Sequence, residues 1–175
     1  MSDADAVNLV LLALRCAAAA VMLAHGINHI YGGGKIAGTA RWFASLGMKP
    51  GIVHAWLASI TEVVGGALLV VGLLTPFGGA AVIGVMLVAI VTNHRGNGFF
   101  IFRPGEGWEY VMTLTFAGLA LAVVGPGEWS LDNAVDLLDD LVGATGLAIA
   151  LVAGAGGAAA LLATFWRPPP ESTDP

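Results

Sequence analysis

Charge is scarce in this sequence, with only 11% of its 175 residues being Asp, Glu, Lys or Arg, against about 25% in a soluble domain. With 57% hydrophobic side chains, too few polar groups remain to cover a water-soluble surface. The natural solvent of the chain is therefore lipid. A single cysteine, Cys16, excludes a disulfide framework, a thiolate zinc site and an iron–sulfur cluster, because each needs several thiolates. Basic residues are few as well, 7 against 12 acidic ones, and the net charge of −5 leaves no basic footprint for nucleic acid. What the chain has instead is 25 glycines and long apolar runs, in a length that fits roughly one domain.

A transmembrane helix needs about 20 mainly apolar residues to cross a ~30 Å hydrocarbon layer. Five runs qualify, approximately Val7–Tyr31, Val53–Leu74, Phe77–Thr92, Trp108–Val124 and Leu141–Trp166. The third is short, but Gly78 through Val91 carries no charge and Thr75-Pro76 suits a hairpin turn. The acidic start Met1-Ser2-Asp3-Ala4-Asp5, with no Lys or Arg before Arg15, is unlike the basic n-region of a signal peptide, so the first run reads as an uncleaved helix. The expected fold class is all-α, a polytopic membrane protein.

Orientation follows from six of the seven basic residues. Lys35, Arg41 and Lys49 lie between runs one and two, Arg95 and Arg103 between three and four, and Arg167 after five, which puts all six on one side. The other side receives the acidic N-terminus and Glu128, Asp132, Asp136, Asp139 and Asp140. Positive charge marks the cytoplasmic side, so the expectation is an outside N-terminus and a cytoplasmic C-terminus in a bacterial inner membrane. The first cytoplasmic loop, Gly32–Gly51, mixes Lys35, Arg41, Trp42, Phe43 and Lys49. It suits either a surface-hugging linker or a lid over a membrane cavity.

This topology gives each polar residue a depth. His25 and His29 end the first helix, His54 begins the second, His94 ends the third, and Glu106 and Glu109 begin the fourth, so all share the cytoplasmic leaflet. His25 and His29 are spaced i, i+4 and fall one helical turn apart. Such a set suits metal ligation, bis-imidazole haem ligation, or hydrogen bonding and proton exchange with a quinone head group. No metal-specific spacing singles out the first, and the HxxxH pair lacks the Glu of a zincin helix.

Glu62 lies about 12 Å along its helix from His54, near mid-bilayer, where an ionised carboxylate facing lipid costs roughly 2.5–3.5 kcal/mol. Arg15 reaches a similar depth from the opposite side. An Arg15–Glu62 ion pair would satisfy both; the alternative is Glu62 as a proton carrier or ligand. Arg15, Ala19, Met22, Gly26 and His29 form one inward stripe on the first helix, and Ala58, Glu62, Gly65 and Leu69 form another on the second. Their small residues permit close approach. Ser130–Asp140 reads as a short amphipathic helix capped by Ser130. The last run has no charge between Val142 and Trp166, and its Gly154–Ala160 surface is built for packing, on its own bundle or on another subunit.

In order along the chain, Ala24-His25-Gly26, Glu62-Val63-Val64-Gly65-Gly66, Gly72-Leu73-Leu74, His94-Arg95-Gly96-Asn97-Gly98-Phe99-Phe100, Gly107-Trp108-Glu109-Tyr110 and Gly125-Pro126-Gly127-Glu128-Trp129-Ser130-Leu131-Asp132 resemble the DoxX family of small bacterial membrane proteins, over about residues 8–135. The resemblance implies a four-helix membrane unit, to which this chain adds a fifth helix, and makes His25, Glu62, His94 and Glu109 the family-pattern positions. It also implies a redox link, since relatives include the membrane subunit of a thiosulfate:quinone oxidoreductase and others associate with membrane complexes that handle thiols and oxidative stress. The expected organisation is a bundle over 1–135, an acidic connector and fifth helix over 136–167, and a disordered Pro-rich tail over 168–175.

Two functions follow as expectations. The first is an accessory subunit of a redox or respiratory complex, with His25, His29, His54, Glu62, His94 and Glu109 as candidates for contact or proton exchange with a quinone; its electrons come from partner subunits, since the chain has no redox centre of its own. The second is a structural or assembly subunit that docks onto a larger membrane complex. No metal site or catalytic residue is assigned, and haem ranks below quinone.

Overall fold

The computed structural model describes residues 1–168, which are mostly helical; the remainder of the expected disordered tail lies outside the described residues. The helices are α1 (Asp3–Tyr31), α2 (Lys35–Ser45), α3 (Gly51–Val71), α4 (Thr75–Asn97), α5 (Glu109–Val124), α6 (Leu131–Ala134), α7 (Leu138–Leu141) and α8 (Ala144–Phe165). Four of them, α1, α3, α4 and α8, are long and apolar enough to cross a membrane. The 16-residue α5 is shorter, about 24 Å at 1.5 Å per residue, and lies along α4. The protein is a multi-pass membrane protein.

Local chemistry sets the helix ends. Ser2 and Asp5 form a capping box at the start of α1, each side chain accepting from the other's backbone N–H at 3.0–3.1 Å. Gly72 ends α3 in the left-handed region at φ +65°, a conformation that carries little penalty without a Cβ. Proline in the first turn of α4 removes no helical hydrogen bond there.

Helices α1, α3, α4 and α5 form the bundle. Its core clusters Ala18, Ala19, Met22, Leu69, Val82, Met86, Val111 and Leu121, and the two stripes expected on α1 and α3 face inward. Helices α4 and α5 cross closely, and a Cβ on Gly79 would lie 2.5 Å from the Gly118 carbonyl oxygen. Gly79→Val is therefore expected to cost about 1–3 kcal/mol by overpacking, read by chemical unfolding in detergent.

The last long helix, α8, packs on its own bundle. Gly154 of α8 meets Ala80 and Ile83 of α4, and Gly146 meets the Ala122 carbonyl of α5, so the small residues serve backbone approach. Both α4 and α8 contain π-helical stretches, Ile90–His94 and Ala150–Gly156.

Three expectations change. The loop after α1 is an ordered helix, α2, with Phe43 buried, because its aromatic face packs against α3. Ser130–Asp140 is two single turns instead of one helix: Ser130 does cap the first, accepting from the Asn133 N–H, but Asp136 at φ +57° breaks the chain direction. The Arg15–Glu62 pair is absent. Arg15 is 1% exposed and donates to the carbonyls of Leu69, Val70 and Trp129. Side chains on a helix lean toward its N-terminus, which carries Arg15 away from Glu62 and onto the last carbonyls of α3, groups that have no helical donor.

The six basic residues assigned to one side do gather at one end of the bundle. There Lys49 N–H donates to the Phe165 carbonyl, Arg167 N–H to the Gly47 carbonyl, and the Arg95 guanidinium lies over Trp166 at 5.2 Å.

Candidate functional site

At that same end a cavity of about 550 Å³ opens within the bundle, walled by α1, α2, α3, α4, α5 and α8. Most of the wall is aliphatic or aromatic; the polar groups are concentrated where the C-terminal ends of α1 and α4 meet the N-terminal ends of α3 and α5. Its size suits a small organic ligand.

Of the residues singled out from the sequence, His25, His29, His54, Glu62, His94 and Glu106 line this cavity. Their environments differ, and the differences sort their roles. His29 Nδ1 lies 3.0 Å from Glu62 Oε2, with side chains 14% and 5% exposed. The two atoms are in close contact without hydrogen-bond alignment. The lean of His29 toward the N-terminus of α1 brings it down onto Glu62, the same tendency that takes Arg15 away. His25, one turn earlier, is exposed and meets His29 edge to face at 6.4 Å.

His94 is fully engaged by the protein. Its Nδ1 donates to the Glu106 carbonyl at 2.9 Å, and its Nε2 accepts from Tyr110 Oη at 3.0 Å and Asn93 Nδ2 at 3.2 Å. A carbonyl only accepts, which fixes the tautomer. The π-helical stretch makes this possible: Arg95 N–H bonds to the Ile90 carbonyl, five residues back, and the extra residue turns His94 by about 100° relative to a regular helix. His94 thus anchors the segment after α4 to the bundle instead of presenting a free nitrogen to the cavity.

His54 is the opposite case. It is 2% exposed, packs edge to face on Phe165 at 5.2 Å, and neither ring nitrogen has a hydrogen-bond partner among the described residues.

Glu109 does not line the cavity. Its Oε1 accepts from the Ile101 N–H at 3.0 Å, so it shapes the α4–α5 segment from outside. Its neighbour Tyr110 takes the interior place, because one residue further along a helix points about 100° away. Tyr110 and Asn93 are not among the site residues expected from the sequence; Tyr110 carries the signal of closing the Gly107-Trp108-Glu109-Tyr110 motif, and Asn93 only that of adjacency to His94. Asp132, one of the acidic residues expected on the side opposite the basic ones, is 0% exposed and accepts from the backbone N–H groups of Leu74 and Thr75 at the start of α4. Among the described residues no three His, Cys, Asp or Glu side chains are grouped to hold a metal ion.

Comparison with known proteins gives one match. Residues 10–95 match the family model described as DoxX, and no curated protein and no solved structure matches. The matched stretch holds most of α1, all of α2 and α3 and most of α4, with His25, His29, His54, Glu62 and His94. It ends before Glu109, Tyr110 and α8.

Proposed function

Residues 10–95 give this membrane protein a DoxX-family region, and from that premise we propose that it is an accessory subunit of a membrane redox complex whose cavity takes a quinone head group. The observation that carries this reading is the buried His29–Glu62 contact at 3.0 Å in the wall of an otherwise mainly apolar cavity. An imidazole and a carboxyl this close can both reach one ligand oxygen placed beside them, and either can donate a proton to it or accept one from it. A bound quinone supplies the redox chemistry, and electrons arrive from partner subunits. In this chain His29 and Glu62 face the head-group oxygen, while Trp42 and Phe43 of α2 wall off the head group. His94 and Tyr110 keep the α4–α5 segment in place. The end bearing the six basic residues is the cytoplasmic one by the positive-inside rule, which puts the N-terminus outside.

The test is titration of the purified protein in nanodiscs with a short-tailed ubiquinone analogue, followed by quenching of Trp42 fluorescence against a Trp42→Phe control. Glu62→Gln and His29→Ala are each expected to weaken binding about tenfold, the worth of one charge-assisted hydrogen bond. Equal affinity in wild type and both variants, or no binding at all, would overturn the quinone reading and favour a purely structural or assembly subunit.

A further inference from the structure

The half of the cavity nearest α8 is used neither by the His29–Glu62 pair nor by His94. There α4 forms a floor of small residues, Ala80 and Gly84, between Leu57 and Ala58 of α3 on one side and Ala153 and Gly157 of α8 on the other. The lining runs along α4 from Phe77 to His94, about 25 Å at 1.5 Å per residue. Phe77 and Leu57 are 45% and 44% exposed, so this side reaches the lipid-facing surface. At its polar end stands His54, buried with both ring nitrogens unpartnered. Burying an unpaired polar group is costly, and a neutral imidazole offers one donor and one acceptor.

We infer that α3, α4 and α8 form a groove for the apolar tail of a membrane-borne ligand, with His54 as the hydrogen-bonding anchor for an oxygen at the tail's polar end. Three observations meet in it: an orphaned buried imidazole, an apolar trough of membrane-scale length, and exposure of that trough at the bilayer face. A ligand with a hydroxyl or carbonyl oxygen and a chain of lipid length satisfies His54 and fills the trough without leaving the bilayer. The groove needs α8, which lies beyond the family-matched residues, so the tail site belongs to what this chain adds to the four-helix unit. The inference rests on the reading that the cavity is a ligand site; it does not require the ligand to be a quinone.

Gly157 supplies a clean block. It lines the groove, and a Cβ built on it meets no atom within 4 Å, so the Gly157→Leu side chain starts from open space at the trough.

The experiment uses the full chain in nanodiscs and two photoactivatable probes with a diazirine in the tail, a long-chain ubiquinone analogue and a long-chain primary alcohol, with labelled peptides mapped by mass spectrometry. Labelling of α8 near Ala153–Gly157 is expected. Gly157→Leu should abolish it, and His54→Leu should lower affinity about tenfold, one hydrogen bond's worth, while His54→Gln restores part of the loss. Apo His54→Leu should unfold no earlier than wild type, because an unpaired polar group has been replaced by an apolar one; a clear fall in its stability would mean that His54 is a packing residue and would overturn the inference. So would labelling indifferent to both His54→Leu and Gly157→Leu. If quinone labelling responds to Glu62→Gln and to neither groove variant, the groove fails and the quinone site stands. If only the alcohol probe labels α8 in a His54-dependent way, the quinone reading fails and the groove stands.

Discussion

Arg15→Met is expected to lower stability by about 3 kcal/mol. The guanidinium is buried and serves three carbonyls, Leu69 and Val70 at the end of α3 and Trp129 in the segment before α6. Charge-assisted hydrogen bonds contribute about 1.5–3 kcal/mol each, and a carbonyl left buried without a donor costs about 1–3 kcal/mol. Against that stands the desolvation of the charge, roughly 2.5–3.5 kcal/mol on insertion scales, which is no longer incurred once Arg is gone. The difference is of order 3 kcal/mol. Arg15→Lys should recover little, because an ammonium is a point donor and does not reach separated carbonyls as a guanidinium fork does. Chemical unfolding in mild detergent reads the effect. A double-mutant cycle adds a sharper check. Glu62 stands seven residues before Leu69 on α3, about 10 Å away, so Arg15→Met and Glu62→Gln should be additive to within ~0.5 kcal/mol. Coupling well above that would restore the ion pair that the structure lacks.

Asp132→Ala should cost about 2–4 kcal/mol by leaving two buried amides without an acceptor. Its carboxylate accepts from Leu74 N–H at 2.6 Å and Thr75 N–H at 3.0 Å, and its own N–H donates to the Gly72 carbonyl at 2.8 Å. It therefore caps the start of α4, where a negative charge is also favoured by the helix dipole, although it comes from 57 or 58 residues along the chain. Leu74 sits at φ +47°, a left-handed conformation disfavoured for a residue with a Cβ, and the Asp132 carboxylate holds it there. Asp132→Asn keeps one acceptor oxygen and is expected to lose about half as much. The two buried charges at this end, Arg15 and Asp132, both fasten the α3–α4 corner, so their loss should show as a loosened corner, measured by faster amide exchange at Gly72–Phe77.

Much of the site was legible because depth in a membrane protein is written into the sequence. Apolar run length located the spans, and the positions of Lys and Arg placed His25, His29, His54 and His94 at one end, which is where the cavity lies. Partner choice was not legible. His94, a pattern position, is consumed by Glu106, Tyr110 and Asn93, whereas His54, with no special spacing, is left unpaired. Nothing in the order of residues distinguishes them, because the π-helical stretch that turns His94 toward Tyr110 has no reliable local signature.

The sequence by itself determined the solvent, where the apolar helices lie along the chain and the end of the bundle that carries the basic residues. Each of these depends on summed hydrophobicity and charge along continuous segments, quantities that do not need neighbours. Only the tertiary structure decided that Arg15 serves carbonyls and not Glu62, that Asp132 caps a helix far from it in sequence, and that α8 closes one wall of the cavity. Those outcomes turn on which way a side chain leans and which backbone groups lack partners at a helix end, and in a bilayer without water every such group must find its partner within the fold.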